Sequence, residues 1–360
     1  MRTNWSTWAP ARDVREPAWL YVGGLDEGDH RMHLRTIWIS ALSAAALAAA
    51  TMVAAPAASG TALPPYLHVV ASGLDSPTHI AFGPGNTLYA ANIGDGTDGH
   101  ITRSDLRTGT TSTLLADLGF SPGVDVQGNG NVLITSSLGN PETGVSAARL
   151  MKVNAAGRSW VKADTLAWEL AHNPDGQSQT VDSTTNPYSV LALPGRTIVA
   201  DAGANDLLEV RANGAVRTLT VFDVIHDGPD CSVRPENDPG TTGCDPTPTD
   251  VEMGPDGYLY VSGLSGEAQD QGRIYRVDPT TGEIVRTWSG FPPLTGIAVA
   301  PDGTIYVTTL FFDNSVIRIR DGVMTKAFVP VPSDVEVGHG KVLVASFAGM
   351  VFSIDDGAFT

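Results

Sequence analysis

The stretch PTDVEMGPDGYLYVSGLSGEAQDQGRIYRVDPTTGEIV, residues 248–285, decides the fold. It holds four short β-runs divided by turn residues. Asp250–Met253 is the first, and Gly254-Pro255-Asp256-Gly257 then supplies a Pro-Asp-Gly turn of the kind that joins neighbouring antiparallel strands. Tyr258–Ser262 is apolar, β-branched and aromatic, which suits a strand buried on both faces. Arg273–Asp278 alternates Ile274, Tyr275 and Val277 with charge, and Pro279-Thr280-Thr281-Gly282 turns it into Glu283–Trp288. Four antiparallel strands in about 40 residues make one propeller blade.

A blade cannot bury both faces alone, so the chain should repeat it. It does. The pattern recurs at Pro77 (PTHIAFGPGNTLYAAN), Pro122 (PGVDVQGNGNVLITSS), Pro187 (PYSVLALPGRTIVADA), Pro248, Pro293 (PLTGIAVAPDGTIYVTT) and Pro332 (PSDVEVGHGKVLVASF). The six copies stand 45, 65, 61, 45 and 39 residues apart. A β-sandwich also has regular hairpins, but it does not repeat one motif at blade period. The expected fold is all-β, a six-bladed β-propeller. Tyr66–Ala71 is a lone strand before the first repeat, and the sixth repeat ends after three strands, at Val351–Ile354. The N-terminal strand is therefore expected to complete the last blade, which removes exposed edges.

The 39 glycines and 24 prolines agree with an all-β chain rich in turns. Its 22 Lys and Arg stand against 39 acids, a net charge of −17 without dense runs. That argues for a solvated acidic exterior and against nucleic acid or an anionic membrane as partner. Residues 1–31 fit nothing that follows and read as a mis-called extension. Met32 opens an export signal, residues 32–57, with Arg35 as its positive end, an apolar run from Ile37 to about Val53, and Ala55-Pro56-Ala57 at the cleavage site. A membrane anchor is the rival reading, but the run is short and dominated by alanine. The mature chain, 58–360, is expected to be secreted, monomeric and not inserted in a membrane.

Two connectors exceed what a blade junction needs, 171–186 and 223–247. The second contains both cysteines, Cys231 and Cys244. In an exported chain they read as a disulfide. Closing this loop is worth ~3 kcal/mol on the chain-entropy account, and it would stiffen a segment without a core of its own. His226 is the only soft ligand nearby, which argues against a metal there.

ASGLDSPTHIAFGPGNTLYAAN (71–92), NPYSVLALPGRTIVADAGANDLLEV (186–210) and PTDVEMGPDGYLYVSGLSG (248–266) resemble the ScyD/ScyE family of exported six-bladed propellers. The resemblance covers about 65 to 355 and is most specific in NPY…VADAGANDLL. The PDG-strand motif is shared with NHL-type and gluconolactonase-like propellers generally. The resemblance implies an exported propeller and supplies no catalytic mechanism.

Propeller topology places the start of each innermost strand and the end of each second strand on one rim. The first ring is His79, Gly123, Ser189, Asp250, Gly296 and Asp334; the second is Asn92, Ser137, Asp201, Gly263, Thr309 and Ser346. Such positions are wet in any propeller, and an Asp or Asn there often only caps a backbone amide. Three carboxylates, Asp201, Asp250 and Asp334, with Asn92 and His79 still suit a hard divalent cation such as calcium. A second acid row, Asp125, Glu252 and Glu336, either deepens an anionic funnel or bonds neighbouring blades. The disulfide loop is a candidate lid over the same mouth.

Three functions follow. The first is binding of a small molecule or an extracellular protein at the channel mouth, with Asn92, Ser189, Asp201, Asp250 and Asp334 on the rim. The second is metal-assisted hydrolysis or isomerisation of a small organic substrate, lactonase-like, with His79 as general base. Against it, gluconolactonase-like enzymes place a Glu just before the first inner strand, where this chain reads Asp75-Ser76-Pro77. The third is a structural scaffold. Nucleophile-elbow, phosphate-loop, Cys-x-x-Cys and His-Glu-x-x-His motifs are missing from the sequence. Gly94-Asp95-Gly96-Thr97-Asp98-Gly99 resembles a calcium loop in composition but lacks the downstream Glu.

Overall fold

The computed structural model describes residues 62–140, 144–178, 185–234 and 241–360. The extension 1–31 and the export signal 32–57 lie outside the described residues. The stretch from Pro248 folds into strands Pro248–Met253, Leu259–Gly263, Gly272–Val277 and Ile284–Phe291, joined in that order into one antiparallel sheet. Its first turn needs a glycine, because Gly257 sits at φ +79°, a region that disfavours side chains.

Six such four-stranded sheets form the ring. Their innermost strands are Pro77–Phe82, Val124–Val126, Pro187–Leu193, Pro248–Met253, Leu294–Val299 and Pro332–Gly338, in blades 1 to 6. Closure follows the sequence expectation. Leu67–Ser72 pairs antiparallel with Met350–Ile354, from Leu67 opposite Ile354 to Ser72 opposite Met350, and so supplies the outer strand of blade 6.

Each blade packs on the next through an apolar cluster. Ile198, Leu207 and Leu259 with Val261 fill the joint of blades 3 and 4; Val316 and Tyr306 with Val344 and Phe352 fill that of blades 5 and 6. Toward the axis the joints differ. At one level the innermost strands carry Ala81, Leu191 and Ala298 on blades 1, 3 and 5, which join the apolar clusters with the next blade. Blades 2, 4 and 6 carry Asp125, Glu252 and Glu336 at that level. The ring is thus built of alternating joints, three apolar to the axis and three acidic at it.

The described parts of the long connectors carry structure of their own. A helix, Thr165–His172, precedes the first. Asp164 caps it by accepting from the Ala167 N–H at 2.9 Å, and Asn173 ends it in the left-handed region at φ 42°. Cys231 and Cys244 are disulfide-bonded. The expectation that their loop lacks a core is corrected: Ile225, Cys231, Cys244 and Ala268 form a small buried cluster. Ala268 belongs to blade 4, and Arg273 pairs there with Asp227 while Arg234 donates to the Gly266 carbonyl. The loop is anchored on the turn between the second and third strands of that blade.

Deleting residues 62–72 removes the buried Leu67 and Ala71 and uncovers the Met350–Ile354 edge. Lost burial of this size costs about 2–5 kcal/mol, so thermal unfolding should begin at least about 5 °C lower. An unchanged melting temperature would refute the closure.

Candidate functional site

The start of each innermost strand brings one ring of side chains toward the axis. His79 from blade 1 spans it. Its Nδ1 lies 2.8 Å from the Pro122 carbonyl of blade 2, and its Nε2 lies 3.1 Å from the Thr249 carbonyl of blade 4. Carbonyl oxygens only accept, so each contact is a hydrogen bond when that ring nitrogen is the donor. Asp250 Oδ1 stands 3.6 Å from Nε2.

Asp250 is fully engaged. Its Oδ1 accepts from the Ser189 hydroxyl at 2.6 Å and from the Val251 N–H at 2.8 Å; its Oδ2 accepts from the Ile297 N–H at 2.9 Å. Asp334 is half engaged. Its Oδ2 accepts from the Ile80 N–H at 2.8 Å, while Oδ1 is buried and no donor reaches it. Burial, and then the neighbouring Asp250, pushes the Asp334 carboxyl well above the usual carboxylate range. His79, Asp250 and Asp334 each offer a ligand atom within 4.8 Å of the others. Space here is limiting: a Cβ on Gly296 would fall 2.6 Å from Asp334 Oδ1.

Below this ring lies the second acid row. Asp125 bonds the next blade, its Oδ2 accepting from the Ala192 N–H at 2.6 Å. Burial raises its carboxyl to about 7. Burial together with Asp125 and Asp250 raises Glu252 to about 8. Burial, then Glu252, Asp334 and Asp125, drives Glu336 well above its usual range. All three side chains are half-buried, as befits groups enclosed by protein but lining a solvated channel.

The expected wet rim is not what forms. His79, Ser189, Asp250 and Asp334 are only 2–8% exposed. The residues that follow the second strands explain this. Ile93 and Phe347 are buried against Phe120, Leu310 and Val331, and Tyr188 sets its ring edge-on to His79 at 5.3 Å. The ring at the start of the innermost strands is buried, and the acid row next to it is half-exposed.

Two predicted site residues stand apart. Asp201 closes a turn of blade 3, accepting from the Thr185 hydroxyl and the Asn186 N–H at 2.5 Å each, and from the Gly203 and Ala204 N–H groups. Asn92 does the same in blade 1: its Oδ1 accepts from the Asp75 N–H and its Nδ2 donates to the Ala90 carbonyl and to Thr102. In the loop 94–99, Asp95 Oδ1 accepts from the Thr97 N–H and Asp98 Oδ1 from the Asp95 N–H, so the loop folds on its own carboxylates. Tyr188 was missed. A signal for it exists, since Thr78, Thr249, Thr295 and Ser333 occupy the matching position in other blades.

The raised carboxyls set a pH dependence. In the metal-free protein Asp125 and Glu252 hold protons more tightly than in the unfolded chain, between about pH 4 and pH 8. Stability should therefore fall as pH rises through that window, and Glu252→Gln should flatten the fall. Denaturant midpoints at pH 5 and pH 8 check it; a wild-type midpoint that rises with pH refutes it.

No family model matches the chain, and no curated protein matches it. Solved structures do. A gluconolactonase from Xanthomonas campestris aligns at 10% identity over 80% of this chain and 89% of its own, with a TM-score of 0.53. The PQQ-bound aldose sugar dehydrogenase of Streptomyces coelicolor aligns at 14% over 81% and 99%, with a TM-score of 0.55. A streptogramin B lyase aligns at 14% over 82% and 98%, with a TM-score of 0.50. At these identities the likeness is one of fold: a six-bladed propeller whose neighbours include enzymes of three chemistries.

Proposed function

We propose that the chain is an exported propeller of the ScyD/ScyE type that binds its ligand in the central channel through a hard divalent cation, calcium above all. One observation carries this: Asp334 Oδ1 is buried without a donor at the head of a channel lined by Asp250, Glu252, Glu336 and Asp125. Hard cations take six to eight oxygen ligands, carboxylates foremost. Asp334, Glu336 and Glu252 would hold the ion. Asp250 positions His79 and Ser189, and Asp201 stays with its turn. His79 is not counted as a ligand, because both of its nitrogens already face carbonyls.

A bound ion would leave coordination sites facing the hairpin turns, where an oxygen-rich small molecule could complete its shell. The disulfide agrees with export, and among the described residues no helix is long and apolar enough to cross a membrane. A hydrolytic role would use the same ion to polarise a carbonyl, but His79 would then have to release the Thr249 carbonyl to act as a base.

Calorimetric titration of calcium into chelator-treated protein tests the proposal. Wild type should bind, and the double variant Glu252→Gln, Glu336→Gln should lose one equivalent. A double variant with wild-type stoichiometry and affinity, or a wild type that takes up no divalent ion, overturns it.

A further inference from the structure

A second group of acids lies away from the channel, where the helix Thr165–His172 and the connectors meet blade 3. Asp206 opens the third strand of that blade and is 0% exposed. Its Oδ2 has one long contact, to the Thr218 hydroxyl at 3.4 Å, and no donor reaches its Oδ1. The charges that face it are Asp201, Glu169 and Asp175, all acids, and after burial they drive its carboxyl well above the usual range. Glu169 is 2% exposed and sits one helical turn from Thr165, on the same buried face.

Neutral oxygens here are also left over. Thr165, 0% exposed, has a hydroxyl without a partner. Gln177, 7% exposed, donates its Nε2 to Asp245 at 2.8 Å, yet nothing donates to its Oε1. Asn205, next to Asp206 in the chain, bridges Asp175 and Asp245 with its Nδ2. Buried carboxylates beside an orphaned amide oxygen and hydroxyl form a donor set that suits a hard cation.

We propose that this crevice is a second divalent-cation site, of the calcium type, with Asp206 and Glu169 as its charged ligands. Its ion would tie the helix and both connectors to blade 3, a task distinct from ligand binding in the channel.

Trp168 makes the site visible. Its Nε1 donates to the Thr218 hydroxyl at 3.1 Å, and that hydroxyl donates to Asp206. Terbium bound there should emit when tryptophan is excited. In the full protein, Asp206→Asn and Glu169→Gln, both near-isosteric, should each cut this sensitised emission at least tenfold. The channel variant Glu336→Gln should leave it unchanged, so failure here and failure of the channel reading are told apart. Trp168→Phe should abolish the emission while calcium binding by calorimetry keeps its stoichiometry. The proposal is overturned if wild type gives no sensitised emission, if Asp206→Asn and Glu169→Gln emit like wild type, or if the signal goes with Glu336→Gln instead.

Discussion

The innermost strand of each blade has a neighbour on one side only, and its other edge of N–H groups faces the axis. Buried N–H groups need acceptors. Three joints of this ring meet the need with a carboxylate: Asp125 accepts from Ala192, Asp250 from Ile297 and Asp334 from Ile80, each in the following blade. A typical intramolecular hydrogen bond contributes about 0.5–1.5 kcal/mol net. These acids therefore tie neighbouring blades together at the joints that follow blades 2, 4 and 6.

Closing a ring with carboxylates concentrates negative charge on its axis. Asp125, Asp250, Glu252, Asp334 and Glu336 act on one another, and burial adds to the mutual repulsion. A neutral ring would have needed only amides. The surplus lies in Glu252 and Glu336, which line the channel, and in the orphaned oxygen of Asp334. Protons taken up by these carboxyls offset it, which couples the stability of the ring to pH.

The connectors obey a different economy. A long loop over a blade has few apolar contacts, and this chain anchors the described parts of its two loops with a capped helix and with a disulfide beside a small buried cluster. Gln177 and Asp245 join one connector to the other at 2.8 Å. The two segments are thereby held together at blade 3.

Local pattern determined the architecture. Alternating apolar runs, Pro-Asp-Gly turns and six copies of one motif specify six blades, because strand and turn preferences act over a few residues. The lone strand at Leu67 and the three-stranded sixth repeat likewise imply the closure, and two cysteines in one loop imply the disulfide. Repeat alignment also put His79, Ser189, Asp250 and Asp334 in a common ring. Alignment placed Asn92 and Asp201 in a second ring on the same rim and could not tell which way their side chains turn. Only the tertiary structure decides which carboxylates spend their oxygens on a nearby turn, as Asp201 does, and which face the axis. It also decides that the ring is buried, that Asp125 bonds the next blade while Glu252 and Glu336 do not, and that Asp206 lies within electrostatic reach of Glu169. Those outcomes depend on side chains from different blades arriving at one place, and no local stretch of sequence carries that distance.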